Sequence, residues 1–211
     1  MDNPGSFANL HPPPALRGFY AKSGKRFLDL LIGFPLCILA APLLLAAALA
    51  VRLSSPGPIF YRQTRVGTGG QDFTLLKFRT LYHRGRDPSI QIASGSSEAP
   101  PAGLFMRRFK IDELPQLLHV LSGKMSLVGP RPALREVLDF SNPDCLARTA
   151  ARPGLTGLAQ VSGNIALSWP QRWVYDARYV RECSFVLDLK ILLRSLLVVL
   201  AGESRFLSPP T

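Results

Sequence analysis

From Phe27 to Val51 the chain is almost wholly Leu, Ala, Ile, Val and Phe, and at about 1.5 Å per residue such a run is long enough to cross a bilayer. It begins too late for a typical signal peptide and has no small-residue cleavage site behind it. Its flanks do not favour a simple crossing. Lys22, Lys25 and Arg26 precede it and Arg52, Arg62 and Arg65 follow, so positive charge at both ends is satisfied most easily if both face the cytoplasm. Pro35 and Pro42 each remove a helical hydrogen bond, which gives the segment a place to bend back. A straight span with a proline kink fits the same prolines, because membrane helices tolerate them.

The pattern then changes. Residues 1–24, with Pro4, Pro12, Pro13 and Pro14 and no apolar periodicity, predict a flexible tail. After the turn signal Ser54-Ser55-Pro56-Gly57-Pro58, the segments Ile59 to Gln63 and Phe73 to Arg79 flank Gly67-Thr68-Gly69-Gly70 and predict a β-hairpin. Gly85 to Gly103 is rich in Ser, Pro, Gly and Ala and predicts a mobile loop. Leucines at helical spacing predict a helix from about Asp112 to Ser122, and a second helix is expected within Trp169 to Val180. The last apolar run, Phe185 to Leu200, is broken by Asp188, Lys190 and Arg194, which suits an interfacial amphipathic helix better than a second span. The expected class is α+β and mostly helical, with the tail over 1–24, a membrane helix over 25–53, a catalytic domain over 54–202 and a short tail over 203–211.

Composition sharpens this reading. A formal charge of +11 beside a positive mean hydropathy points to a membrane surface rather than to an ordinary soluble protein. A nucleic-acid partner is not expected, since the basic stretch lacks a recognition motif and stacking aromatics. Cys37, Cys145 and Cys183 are odd in number and widely spaced, which indicates neither a disulfide framework nor a zinc site. His119, within the leucine-rich helix, reads as a packed or surface residue.

Between Tyr61 and Lys110, nine cations face only Asp72, Asp87 and Glu98, a field for an anion or for lipid headgroups. Beside it stands Asp112-Glu113-Leu114-Pro115-Gln116. These acids and proline could simply cap a helix. They could equally hold Mg²⁺ while nearby Arg and Lys hold phosphate oxygens, which is most of what phosphoryl transfer requires. Gly129-Pro130-Arg131-Pro132 and Arg152-Pro153-Gly154-Leu155-Thr156-Gly157 each place an arginine in a stiff frame suited to phosphate. A second reading of the same features is a membrane-anchored basic module without catalysis, binding anionic lipid or an acidic partner.

Taken in order, Lys25-Arg26-Phe27-Leu28-Asp29, Ser55-Pro56-Gly57-Pro58, Gln63 with Arg65-Val66-Gly67, Lys77-Phe78-Arg79-Thr80, Asp112 to Leu117, Met125 to Pro132, Arg152 to Gly157 and Asp188-Leu189-Lys190 resemble the bacterial sugar transferases, the monotopic phosphoglycosyl transferases. The resemblance implies that Asp112 attacks the sugar-bearing phosphorus of a UDP-sugar and releases UMP. Polyprenyl phosphate, such as undecaprenyl phosphate, then takes the phosphosugar, opening the assembly of a polysaccharide or glycoconjugate. It implies Mg²⁺ held by Asp112 and Glu113, with Glu113 supporting the metal or the acceptor. Lys77, Arg79, Arg107, Arg131 and Arg152 become the phosphate-contact candidates. It also implies a re-entrant helix broken at Pro42 and a catalytic domain on the cytoplasmic side of the bacterial inner membrane, while homo-oligomer formation stays open. The chain departs from the family pattern at Lys124, His119, Leu158 and Asn164. The last two lie in the region expected to face the nucleotide sugar.

Overall fold

The structure is a computed structural model that describes residues 18–82 and 99–201. Most of the expected N-terminal tail, His83, the loop as far as residue 98 and the tail over 203–211 lie outside the described residues. Residues 18–24 are helical rather than tail-like. Tyr20–Gly24 form one π turn that runs directly into α1 (Lys25–Ser54).

Both Pro35 and Pro42 lie inside α1, whose residue range passes through them without a gap. Its buried positions, Lys25, Asp29, Gly33, Ala47 and Val51, make one stripe against the rest of the protein. Phe34, Leu36, Ile38, Leu39, Leu43 and Leu45, around the prolines, are exposed. Among the described residues this is the one helix long and apolar enough to cross a membrane by length and composition. Both ends of α1 are fastened to the same body. Near the start, Arg26 donates to the carbonyls of Val120 and Leu121 at 2.6 and 2.7 Å, and Asp29 Oδ1 accepts from Ser126 Oγ and Leu127 N at 2.8 and 2.9 Å. At the far end, Arg79 Nη2 donates to Val51 O at 3.5 Å and to Ser55 O at 2.7 Å, while its Nη1 donates to Pro56 O at 2.5 Å. Val51 O is one of the last carbonyls that a helix end leaves without intrahelical partners, and Ser55 and Pro56 follow directly after α1.

The expected hairpin is present as β1 (Phe60–Val66) and β2 (Asp72–Phe78), antiparallel, with Tyr61 opposite Lys77. Inside the segment expected to be loop, Pro101 opens α2 (Pro101–Arg108), in keeping with the preference of proline for the first helical turn. The helix expected from Asp112 is shorter than its leucine spacing suggests. Ile111–Gln116 form 3₁₀ turns and only Leu117–Leu121 (α3) are α-helical, since Pro115 has no N–H to donate to an α-helical ladder. Two three-residue strands, β3 (Ser126–Val128) and β4 (Gly154–Thr156), pair in parallel around a short α4 (Pro143–Ala147), and neither strand was expected. Their crossing is too close for side chains: a Cβ on Gly154 would lie 2.1 Å from Gly129 N, and one on Gly129 would lie 2.3 Å from Arg152 O.

After the single-turn α5 (Leu158–Val161) come α6 (Trp169–Glu182) and α7 (Phe185–Ala201), close to their expected ranges. Leu117, Val120, Met125, Val128, Tyr179 and Ile191 form the centre of the main core, and Ala47, Val51, Phe78, Met106 and Ile111 a second one beneath the far end of α1. The charges of α7 do not all lie on a polar face. Asp188 is 1% exposed and accepts from Lys25 Nζ and Tyr20 Oη, both at 2.6 Å, and from Tyr179 Oη at 2.7 Å. Phe185, Val186, Leu193, Leu197 and Leu200 of α7, Phe105 of α2 with Phe109 just after it, and the outer face of α1 all expose large apolar side chains.

Candidate active site

The acidic pair sits at a corner. The chain leaves α2 through Lys110, whose φ of 57° lies in the left-handed region, and turns directly into the 3₁₀ segment that carries Asp112 and Glu113. Glu113 N closes the turn by donating to Lys110 O at 3.1 Å. The acids therefore precede α3 by several residues and do not cap it, so its N–H groups are not directed at them.

Two elements bring cations to Glu113. Strand β2 presents Lys77, whose Nζ donates to Glu113 Oε1 at 2.7 Å. The Gly129-Pro130 turn after β3 presents Arg131, which forks onto the same carboxylate, Nη2 to Oε1 at 2.5 Å and Nη1 to Oε2 at 3.1 Å. Arg131 is itself held from behind. Arg148 Nη2 donates to the Arg131 carbonyl at 2.6 Å, and Arg148 Nε pairs with the buried Asp176 of α6 at 2.9 Å.

The two acids consequently differ in character. Burial works to raise the pKa of Glu113, but Arg131 and then Lys77 outweigh it and hold this carboxyl well below the usual range. Both of its oxygens are engaged by cations. Asp112 is pushed upward, first by burial and then by the adjacent Glu113 charge, against the pull of Lys77 and Lys110. Its Oδ1 is buried and has no hydrogen-bond partner among the described residues. A buried carboxylate oxygen without a partner is costly; Asp29 Oδ2 and Asp176 Oδ1 share that condition, but each of those carboxylates is held through its other oxygen. Of the adjacent acids, Asp112 is the one with an electron pair to offer.

Of the five cations expected at phosphates, Lys77 and Arg131 are brought to the acidic pair. Arg79 is turned away to the end of α1, 6% exposed, with its donors on three carbonyls. Arg107 stands on the last turn of α2 just before the Lys110 corner, and Arg152 is half-buried immediately ahead of β4. A shallow cleft beside Arg131 is lined by Arg148, Gln160, Asn164, Trp169 and Arg172, with Arg172 lying 4.6 Å over the Trp169 ring. Asn164 thus shares a wall with the arginine that grips Glu113.

Among the described residues no three His, Cys, Asp or Glu side chains gather as a metal cage. Mg²⁺ rarely needs one, since it keeps waters and takes much of its shell from substrate phosphates beside one or two carboxylates. The unpartnered oxygen of Asp112 fits that mode, and Glu113 fits it only by exchanging a cation for the metal.

Sequence reading missed Arg148 and Asp176. Asp176 carried a signal, since it stands on the same helical face as Trp173, Ala177 and Val180, all buried, and an acid on an apolar face calls for a partner.

An apolar helix fastened at both ends to a basic body, with one open carboxylate beside paired cations, suits work on anions at a membrane surface. The chain belongs to the bacterial sugar transferase family, whose model matches residues 20–202. It is 44% identical over 191 residues to the UDP-glucose:undecaprenyl-phosphate glucose-1-phosphate transferase of Caulobacter vibrioides, covering 86% of this chain and 72% of that protein. It is 40% identical over 179 residues to an uncharacterized sugar transferase of Bacillus subtilis, covering 85% of this chain and 88% of that one. Similarity extends to the UDP-N-acetylgalactosamine-undecaprenyl-phosphate N-acetylgalactosaminephosphotransferase of Aeromonas hydrophila, 36% identical over 185 residues, which cover 84% of this chain and 44% of that longer protein.

Proposed function

We propose that this chain transfers a sugar-1-phosphate from a UDP-sugar to undecaprenyl phosphate, with Asp112 as nucleophile. The observation that carries the reading is the asymmetry of the acidic pair: Glu113 has both oxygens engaged, while Asp112 keeps one free and has a raised affinity for protons. An oxygen of Asp112 forms a bond to the sugar-bearing phosphorus as the bond to the UMP oxygen breaks, and UMP leaves. An oxygen of the polyprenyl phosphate next attacks that phosphorus. The aspartyl–phosphorus bond breaks, the carboxylate is restored and the polyprenyl diphosphate sugar departs.

Glu113 fixes Lys77 and Arg131 at the point where charge gathers on the transferring group, which lowers the barrier without reorganisation at the moment of reaction. Mg²⁺, when held by Asp112, Glu113 and substrate oxygens, adds charge neutralisation at the diphosphate. Screening UDP-sugars with undecaprenyl phosphate tests the reading. UMP release that depends on both substrates is expected, and none with any sugar would leave the non-catalytic basic module in its place.

We infer that α1 enters the inner membrane and returns, with the catalytic body on the cytoplasmic side. Arg26 holds the body to one end of the helix and Arg79 holds it to the other. A straight crossing would carry those ends to opposite faces of a hydrocarbon layer about 30 Å thick, and a body bonded to both could not follow. The exposed prolines and leucines at the middle of α1 are the part that enters. In a variant with its native cysteines replaced, single cysteines at Lys22 and at Leu53 are expected to react with an impermeant maleimide from the cytoplasmic side only. Labelling from opposite sides would refute the re-entrant form.

A further inference from the structure

Leu76 N donates to His119 Nε2 at 3.1 Å. The hairpin register explains why this N–H needs a partner. Arg79 N donates to Ile59 O, so on β2 the odd-numbered residues face β1 with their backbone groups, and Leu76, opposite Arg62, points its N–H outward. The sheet has two strands, and this outer edge is closed by the side chain of His119 from α3. The next residue along β2 is Lys77, which reaches Glu113. The imidazole is also seated edge-on against Phe73, ring centres 5.9 Å apart at 84°. A single ring therefore joins the strand that carries Lys77 to the helix that follows the acidic pair.

A backbone N–H can only donate, so Nε2 must present its lone pair, and the ring proton of the neutral form sits on Nδ1. A second proton would set Nε2–H against Leu76 N–H. The charged residues borne by the elements packed on α3 are largely paired. Lys77 is held to Glu113, Asp72 of β2 to Arg135, Arg26 of α1 to the Val120 and Leu121 carbonyls, and Asp29 to Ser126 and Leu127. Asp112 is held next to Glu113 on the 3₁₀ turn. Burial first, and then the Lys124 charge, keep the His119 pKa below its ordinary 6.5.

We propose that His119 is a positioning residue that works only in its neutral form, bracing the outer edge of β2 so that Lys77 meets Glu113, and that protonation of its ring releases the brace and slows transfer. The consequence for catalysis rests on the transferase reading above, whereas the brace itself can be observed without turnover. Three full-length forms in lipid nanodiscs serve: the wild type, His119→Gln, whose Oε1 can reach the Nε2 position without titrating, and His119→Leu, which offers no acceptor.

Hydrogen exchange at the Leu76 amide is expected to be roughly tenfold faster in His119→Leu and close to wild type in His119→Gln, as the loss of the acceptor for a half-buried N–H implies. In UMP release, the wild type should lose activity through an inflection below pH 6.5 that His119→Gln lacks, both forms keeping the limb due to Asp112. At mildly alkaline pH, His119→Leu should lose roughly tenfold in kcat with little change in KM, and His119→Gln should stay within about twofold of wild type. Unchanged Leu76 exchange in His119→Leu would overturn the brace, and the same inflection in wild type and His119→Gln would overturn its role in the pH response. A wild type that releases no UMP from any UDP-sugar would sink the transferase reading alone, leaving the brace to be decided by the exchange measurement.

Discussion

Asp112→Asn is expected to lower UMP release by on the order of 10⁴-fold or more, the scale seen when a covalent nucleophile is removed and only binding and electrostatic help remain. Asparagine keeps the size of the side chain and removes the charged oxygen. The variant should not be less stable, which separates this loss from misfolding. Burial and Glu113 raise the pKa of Asp112 above its ordinary 3.8, so the fold disfavours the charged form of a carboxyl whose Oδ1 has no partner. The sign follows. An acid whose folded pKa is raised opposes folding above its unfolded pKa, so Asn should hold or raise the unfolding midpoint at neutral pH, and the difference should fade as pH falls below about 3.8. In the wild type the raised pKa also moves the acid limb of the rate profile above where a free aspartate would put it. Near wild-type activity in Asp112→Asn would rule out the covalent route. Glu113→Asp is the useful contrast, since shortening the side chain disturbs the Lys77 and Arg131 contacts while leaving Asp112 chemically intact.

Which parts of this site the sequence could reveal depended on how local their causes are. The hairpin was legible because alternation over β1 and β2 and the glycine-rich turn between them are written into neighbouring residues. Helix α6 was legible from its spacing, and Ser168 and Gln171 do form a capping box at its start. Strands β3 and β4 were not, because three residues carry too little periodicity and the pairing depends on two glycines brought together from distant parts of the chain. The acidic pair was visible, and the family resemblance implied attack by Asp112, but the cations that engage Glu113 were not. Lys77, Arg79 and Arg131 look alike along the chain, and only the fold directs two of them to Glu113 and the third to the end of α1. His119 looked like filler for the same reason, its one polar partner being a backbone N–H on a strand far away in sequence.

Asp188 shows the same blindness with the largest structural effect, and Asp188→Asn is expected to destabilise the protein by about 3–5 kcal/mol, the usual result of leaving one member of a buried ion pair alone. Lys25 is 4% exposed, and its ammonium meets Asp188 at 2.6 Å. Tyr20 and Tyr179 donate to different oxygens of Asp188, so the single oxygen of Asn can keep one of those bonds in place and not both, and it cannot balance that charge. The damage should travel. Tyr179 Oη also donates to Val128 O at 3.2 Å, and Asp29, one turn along α1 from Lys25, holds Ser126 and Leu127, so the anchor steadies β3 just ahead of Gly129 and Arg131. Loosening it should lower UMP release through Arg131 as well as lower the denaturation midpoint in nanodiscs. The double variant Lys25→Met with Asp188→Leu removes both charges and keeps comparable volume, and because a buried pair is often replaceable by apolar packing, it should recover most of the lost stability. Tyr179 retains Val128 O as an acceptor in that background, and Tyr20 lies close enough to the edge of the network to turn toward water. A midpoint unmoved by Asp188→Asn, or a double variant no more stable than Asp188→Asn, would show that this buried charge pair does not hold the start of α1 to α7.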